Sequence, residues 1–276
     1  MKNATSYEKK IRKLLSGMGK GPADEPPTGV DAFTFMLQAI LESDAPRKEA
    51  QRAIQAFQRE FVDYNELRVA PTKDIVDVIG RDFPGVREKA EAIVKALNTI
   101  FDRSSRLSME YMHKMPKREL RKHLLEMGMT PYSAALVTMG VFSGHAVPVD
   151  KSLVIALKAN GYVHPSSDLD DIQGFLERIV AQKDGPAAHE LFRDFVEKNA
   201  KVVAKRLKEE AAAAAAAKAQ AEAAARAAAA EAAKEKAKAQ QAPAPAPQQA
   251  AKPAKAHKAA KIAAGRKRAG PAGKKA

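Results

Sequence analysis

Two short stretches of this 276-residue chain hold residues able to do chemistry. In the first, Leu124-Leu-Glu-Met-Gly-Met-Thr-Pro-Tyr-Ser-Ala134, a helical run stops at Gly128 and turns through Met129. It restarts at Thr130, a capping residue followed by Pro131 at the first helical position. A helix, hairpin and helix of this kind aims backbone N–H groups and the positive end of a helix dipole outward, so it can hold one phosphate whatever the base sequence. The same residues also describe an ordinary turn between two core helices. In the second stretch, Val147-Pro-Val-Asp-Lys-Ser-Leu153, Asp150 stands where a helix starts. A carboxylate there either caps free amides or stabilises a developing cation and orients a water for attack. Lys151 beside it can reach a phosphate or offer an amine, although a helix lysine ordinarily faces solvent.

The elements that must position these residues read as helices. Asp31 is placed to cap a helix through Phe33, Phe35, Met36, Leu37, Ile40 and Leu41. Helical spacing predicts further helices over 46–67, 72–79, 87–101, 116–127, 131–142, 150–160, 168–182 and 186–199. The segment 131–142 is almost wholly apolar and belongs to the core. No stretch alternates with period two, so the expected fold class is all-α, with helices of about 10–20 residues joined by Gly/Pro turns. Residues 1–28 read as a flexible basic arm and 29–200 as the folded domain. Residues 201–241 are a solvated Ala/Lys/Glu-rich helix, and 242–276 a disordered Lys/Pro/Ala tail.

Composition narrows the chemistry. There are no cysteines, which excludes disulfides, thiolate zinc sites and cysteine-ligated iron–sulfur clusters. His145 and His164 have no second ligand at metal spacing, so no metal site is expected. No apolar run reaches the ~20 residues of a membrane span, and the start lacks a signal-peptide core; an intracellular protein, cytoplasmic or at the nucleoid, is expected. The net charge is +14, but residues 201–276 hold 18 Lys/Arg against 5 Asp/Glu, leaving 29 basic and 28 acidic residues before them. Phosphate binding by the folded part must therefore be local, with the long-range attraction supplied by the ends.

Taken in order, these segments resemble the helix-hairpin-helix Gly/Pro-Asp superfamily of DNA glycosylases, endonuclease III in particular. In that family Leu-Pro-Gly-Val-Gly-x-Lys-x-Ala is followed, after a buried helix, by Val-Asp-Thr-His. Residues 126–134 take the hairpin, and Val149-Asp150-Lys151-Ser152 takes the aspartate loop. The family's lysine-to-aspartate spacing of 18 is kept between Tyr132 and Asp150. Residues 33–42 resemble the family's first core helix, and Gly85-Val-Arg-Glu-Lys-Ala-Glu-Ala-Ile93 its lysine-alanine helix start. A register using Phe83-Pro-Gly-Val-Arg-Glu-Lys89 fails, because the residue 18 positions after Lys89 is Leu107.

The resemblance implies a fold of two helical lobes, with Asp150 and Tyr132 on the wall of the cleft between them. It implies a monofunctional base-excision glycosylase acting on duplex DNA as a monomer. Asp150 would stabilise the oxocarbenium-like charge as the N-glycosidic bond of a flipped base breaks. Gly128, Met129, Thr130, Lys151 and Asp44 would face the DNA, with a monovalent cation at the hairpin and no other cofactor. The departures are specific. Tyr132 replaces the Schiff-base lysine, Thr130 the second hairpin glycine, and Asp44 the glutamine that fills the gap left by the extruded base. These departures suit an alternative, a catalytically inactive DNA-binding protein with a tail like that of a linker histone; a scaffold whose tail binds RNA is a further one. The recognised base stays open.

Residues 242–276 carry nine Lys/Arg and no acid. Deleting them should leave domain stability unchanged. If four to six of those cations contact phosphate, the dependence of log K on log salt for duplex DNA becomes shallower by roughly 4–5 units. Equal salt slopes for the full and shortened chains would show that the tail serves something other than DNA.

Overall fold

The computed structural model describes residues 4–17 and 31–240. Among these residues the secondary structure is helical throughout, with no strand. No described helix is long and apolar enough to cross a membrane.

Side-chain caps set many of the helix starts. Asp31 accepts the Phe33 and Thr34 amides and opens α2 (Ala32–Glu42), while Asp63 accepts those of Asn65 and Glu66 and opens α4 (Tyr64–Val69). Thr130, Asp150 and Asp168 do the same for α8 (Pro131–Gly140), α9 (Lys151–Ala159) and α10 (Leu169–Ile179). Three other helices follow a proline, whose fixed φ suits the approach to a helix: α3 (Arg47–Glu60), α5 (Thr72–Ile79) and α7 (Lys117–Glu126). The remaining helices are α1 (Ala4–Leu15), α6 (Val86–Ser104), α11 (Gly185–Lys198) and α12 (Ala200–Gln240).

Two hydrophobic cores make the two lobes. The first is built by α2 to α8, around Met36, Leu41, Leu67, Ile75, Ile93 and Leu97. The second is built by α1, α9, α10 and α11, around Ile11, Leu157, Ile172, Phe175 and Phe192. The hairpin between α7 and α8 therefore belongs to the first lobe, and Asp150, at the head of α9, to the second.

Three expectations are corrected. Residues 4–15, read as flexible arm, form α1, because Ile11 and Leu15 fall on one face and are buried in the second core. The Lys10 ammonium fastens it further by donating to the Gly161 carbonyl at 2.8 Å. The single helix expected over 46–67 breaks after Glu60: Phe61 is extended, Val62 is 94% exposed, and Asp63 caps a new helix. The helix expected to be solvated from residue 201 instead packs its first turn, where Val203 sits against Ile155 and Ala156. Residues 18–28 of the expected arm and the expected tail at 242–276 lie outside the described residues.

Ile11 is fully buried. Ile11→Ala should cost about 2–4 kcal/mol in urea unfolding, while Val62→Ala, on the surface, stays within about 0.5 kcal/mol of wild type. An unchanged midpoint for Ile11→Ala would mean that α1 does not pack as described.

Candidate functional site

The head of α9 is capped by two carboxylates from different lobes. Asp150 Oδ1 accepts the Leu153 amide at 2.8 Å, and its Oδ2 accepts the Asp44 amide at 3.3 Å. Asp44 reciprocates across the lobes: its Oδ1 accepts the Ser152 amide at 3.1 Å and the Ser152 hydroxyl at 3.3 Å. Asp44 adopts φ +53°, a left-handed conformation that Asp tolerates better than most residues, and this turns its carboxylate inward.

The turn that carries Asp44 follows the C-terminus of α2, where carbonyls lack helical partners. Two buried cations satisfy them. Lys89 Nζ donates to the Leu41 carbonyl at 2.9 Å and the Ser43 carbonyl at 2.7 Å. Arg193, from α11, donates to the Ala45 carbonyl at 2.8 Å and the Glu42 carbonyl at 3.4 Å. Its Nη1 also lies 3.8 Å from Asp150 Oδ2, with the side chains 7% and 3% exposed.

Around this cluster further polar pairs join the lobes. The Tyr132 hydroxyl meets His189 Nε2 at 3.0 Å, both side chains buried. Arg47 grips both oxygens of Glu190 at 2.7 and 3.0 Å. Arg121 reaches the Gln173 side chain at 3.1 Å. At the hairpin, Gly128 has φ +92° and lies against α6; a Cβ there would come within 3.2 Å of the Lys95 side chain. Thr130 accepts the Ser133 amide at 3.2 Å, and its hydroxyl donates to Ser43 Oγ at 3.2 Å, which ties the hairpin to the Asp44 turn.

Burial sets the proton affinities. It raises the Asp150 carboxyl to about 6, helped by the charge of Asp44 and opposed by the Leu153 amide and Arg193. It lowers the Lys89 ammonium to about 8, against the pull of Asp44 and Asp150. Burial, with Arg193 and Arg47 nearby, lowers His189 to about 3, so the imidazole is neutral and its 3.9 Å approach to Glu190 is no ion pair. The Tyr132 hydroxyl is pushed well above its usual range by burial and is neutral too.

The structure thus brings Asp150, Asp44 and Lys151 together at the head of α9, links Thr130 to them through Ser43, and places Tyr132 beside Arg193. It corrects three readings. Asp150 and Tyr132 do not line an open cleft wall, because they are 4% and 3% exposed and packed between the lobes. Asp44 turns onto α9 and does not face outward as an anion. The Met129 side chain is buried in the first core, so only its backbone is left to meet a partner. Lys151, Thr130 and Pro131 are exposed. The residues that sequence reasoning missed are Lys89, His189, Arg193 and Ser152. The available signal was His189 and Arg193 one turn apart on α11, both on its buried face. A cavity of about 290 Å³ lined by Leu37, Ile54, Phe57, Phe61 and Tyr64 shares no residue with this cluster.

Between pH 3.8 and about 6 the folded chain holds a proton on Asp150 that the unfolded chain has lost. Stability from this group therefore falls as pH rises through that window. His189 acts in the opposite sense, since acid protonates it only in the unfolded chain. The difference between Asp150→Asn and wild type removes the His189 contribution. It should grow in favour of the variant by on the order of 2–3 kcal/mol from about pH 4 to pH 7, read from urea midpoints. A flat difference would mean that Asp150 is not buried as an acid.

No family model matches the chain, and no curated protein matches it. Solved structures do. A trapped covalent intermediate of endonuclease III with DNA superposes with a TM-score of 0.54 at 18% identity, over 68% of this chain and 85% of the other. The 8-oxoguanine glycosylase/lyase of Clostridium acetobutylicum, in complex with double-stranded DNA, gives 0.54 at 19% identity, over 72% of this chain and 71% of the other. The 3-methyladenine DNA glycosylase of H. pylori, bound to 1,N6-ethenoadenine, gives 0.51 at 16% identity, over 71% of this chain and 95% of the other. The chain accordingly has the all-helical, two-lobed fold of the helix-hairpin-helix DNA glycosylases.

Proposed function

We propose that this chain is a duplex-DNA-binding protein built on the glycosylase fold, with its two lobes clasped so that base excision is not its activity. The observation that carries this reading is the state of Asp150. Its carboxylate is 3% exposed, and both oxygens are already engaged by amides and a guanidinium. A carboxylate that is to stabilise charge at C1′ and orient a water must be reachable by both, and its burial here denies that access. Arg193 lies 3.8 Å from the Asp150 carboxylate, and Tyr132 and His189 form a buried pair between the same lobes. DNA binding is supported by Thr130 and Pro131 exposed at the hairpin, by the exposed Lys151, and by the 18 Lys/Arg of residues 201–276. The likeness to proteins solved with DNA supports the same reading.

One observation favours the excision reading. Asp150 keeps both the helix-capping position and the 18-residue spacing from position 132, and its raised proton affinity suits an acid–base role near neutral pH. In that reading DNA would have to part the lobes first, and the tyrosine at 132 would leave a monofunctional hydrolysis without a Schiff base.

A panel of duplexes containing uracil, thymine glycol, oxidised guanine, alkylated bases and mismatches separates the two. The expected result is a retarded duplex on native gels, no alkali-labile site on any substrate, and no adduct trapped by borohydride. Base release that disappears in Asp150→Asn would overturn the closed reading and install the enzymatic one.

A further inference from the structure

The cavity of about 290 Å³ in the first lobe has no residue in common with the junction between the lobes. It lies where α3 ends. Phe61 is extended, Asp63 starts α4 afresh, and the corner between them closes one side of the space while Thr34 and Leu37 of α2 close another. Its apolar wall holds Leu37, Phe57 and Leu67, each at most 4% exposed. Half-buried Phe61 and Tyr64 add two more rings, Phe61 standing edge-on to Phe57 with 5.9 Å between centroids. On the outer side Gln58, Val62 and Asp63 are exposed, so the space is reached from solvent.

Charge decides what fits. No lysine or arginine lines the cavity, whereas Asp63 does. Asp31 sits one hydrogen bond behind the lining, where it accepts the Tyr64 hydroxyl at 2.7 Å and the Thr34 hydroxyl at 2.6 Å. Burial opposes its charge, but these bonds and the Thr34 and Phe33 amides hold its proton affinity below the ordinary carboxylate value. Glu66 accepts the Val62 amide at 2.6 Å. The closing carbonyls of α3 add the negative end of a helix, while the amides that open α4 are already taken by Asp63. Arg59, next to Gln58 in the chain, is exposed.

We propose that this cavity binds a small organic cation, with an apolar body of one or two rings against Leu37, Phe57 and Leu67 and an ammonium head on the Asp63 side. The volume is about twice the roughly 150 Å³ that accepts a benzene ring in a protein core. Aromatic faces and carboxylates both attract the positive head. An anion is repelled, and a neutral molecule of the same shape gains only the burial of its apolar surface. The site does not depend on the DNA-binding reading.

Three probes of similar shape and different charge test it in the full chain: 2-phenylethylamine, 2-phenylethanol and phenylacetate, followed through the methyl resonances of Leu37, Ile54, Val62 and Leu67. The amine should shift them saturably, with an affinity on the order of tenfold above that of the alcohol, and phenylacetate should bind more weakly than either. Asp63→Asn combined with Glu66→Gln keeps the helix cap and the acceptor for the Val62 amide but removes two charges. In that variant the amine should fall to about the affinity of the alcohol, which itself stays as in wild type. Ile54→Phe, which fills the cavity, should lose both ligands; if it fails to fold, the charge variant still decides. No saturable shift from any probe, or equal affinities for all three, overturns the proposal, as does an amine affinity indifferent to the charge variant. Shifts that persist in a folded Ile54→Phe place the ligand elsewhere and overturn it too. Shifts from a peptide carrying a lysine-flanked phenylalanine, with none from the amine, would make this face a protein-docking surface instead.

Discussion

Everything in this molecule that bears on function depends on how two helix ends are neutralised where the lobes meet. The last carbonyls of α2 form a negative end, and the first amides of α9 a positive one. Lys89 and Arg193 serve the first; Asp150 and Asp44 serve the second. Because Asp44 follows α2 directly, the turn that delivers acids to α9 is the same turn that the cations hold. Each half positions the other. Taking one partner out of a buried set of this kind costs about 3–5 kcal/mol, because the remaining charge stays desolvated. The junction is therefore a structural requirement of the fold as this sequence makes it.

That requirement bears on chemistry. A carboxylate that is 3% exposed, bound to the Leu153 and Asp44 amides and 3.8 Å from Arg193, is out of a substrate's reach while the lobes stay together. The other contacts between lobes point the same way: Arg47 with Glu190, Tyr132 with His189 and Arg121 with Gln173 each fasten a helix of the first lobe to one of the second. The exposed Arg47–Glu190 pair contributes little by itself, whereas Tyr132–His189 is buried. Packed around a buried charge cluster, they exclude the water that would otherwise weaken it.

Much of the fold was legible because its helix starts are written as caps. Asp31, Thr130, Asp150 and Asp168 each precede an apolar run, and each caps the expected helix. The helix and hairpin around Gly128 were legible for the same reason. Helix α1 was not, although Ala4, Tyr7, Ile11, Leu14 and Leu15 recur at helical spacing, because the lysines and arginine between them read as a basic arm. The site was half legible. Asp150 could be found from Pro-Val-Asp and its spacing from Tyr132, but its burial could not, because that depends on the φ of Asp44, which no residue pattern announces. Lys89 enters the sequence reading only as the lysine of a rival hairpin register that fails on spacing, and nothing in the pattern points to the Leu41 and Ser43 carbonyls. Arg193 and His189 lie on an otherwise apolar face of α11 and meet their partners only in three dimensions.

The tyrosine at position 132 makes sense within this charge arrangement. A lysine there would place a third cation beside Arg193, already set behind Asp150, and burial would penalise all three. Tyrosine brings no charge. Its hydroxyl needs one partner, and His189 provides it while staying neutral, because Arg193 and Arg47 oppose its protonation. The neutral pair joins the lobes without disturbing the balance of two acids against two cations. On the proposed reading, the tyrosine at 132 and the closure of the lobes go together. A neutral, bulky side chain at 132 is compatible with a sealed junction, whereas an amine that must reach a sugar carbon needs an open, hydrated one.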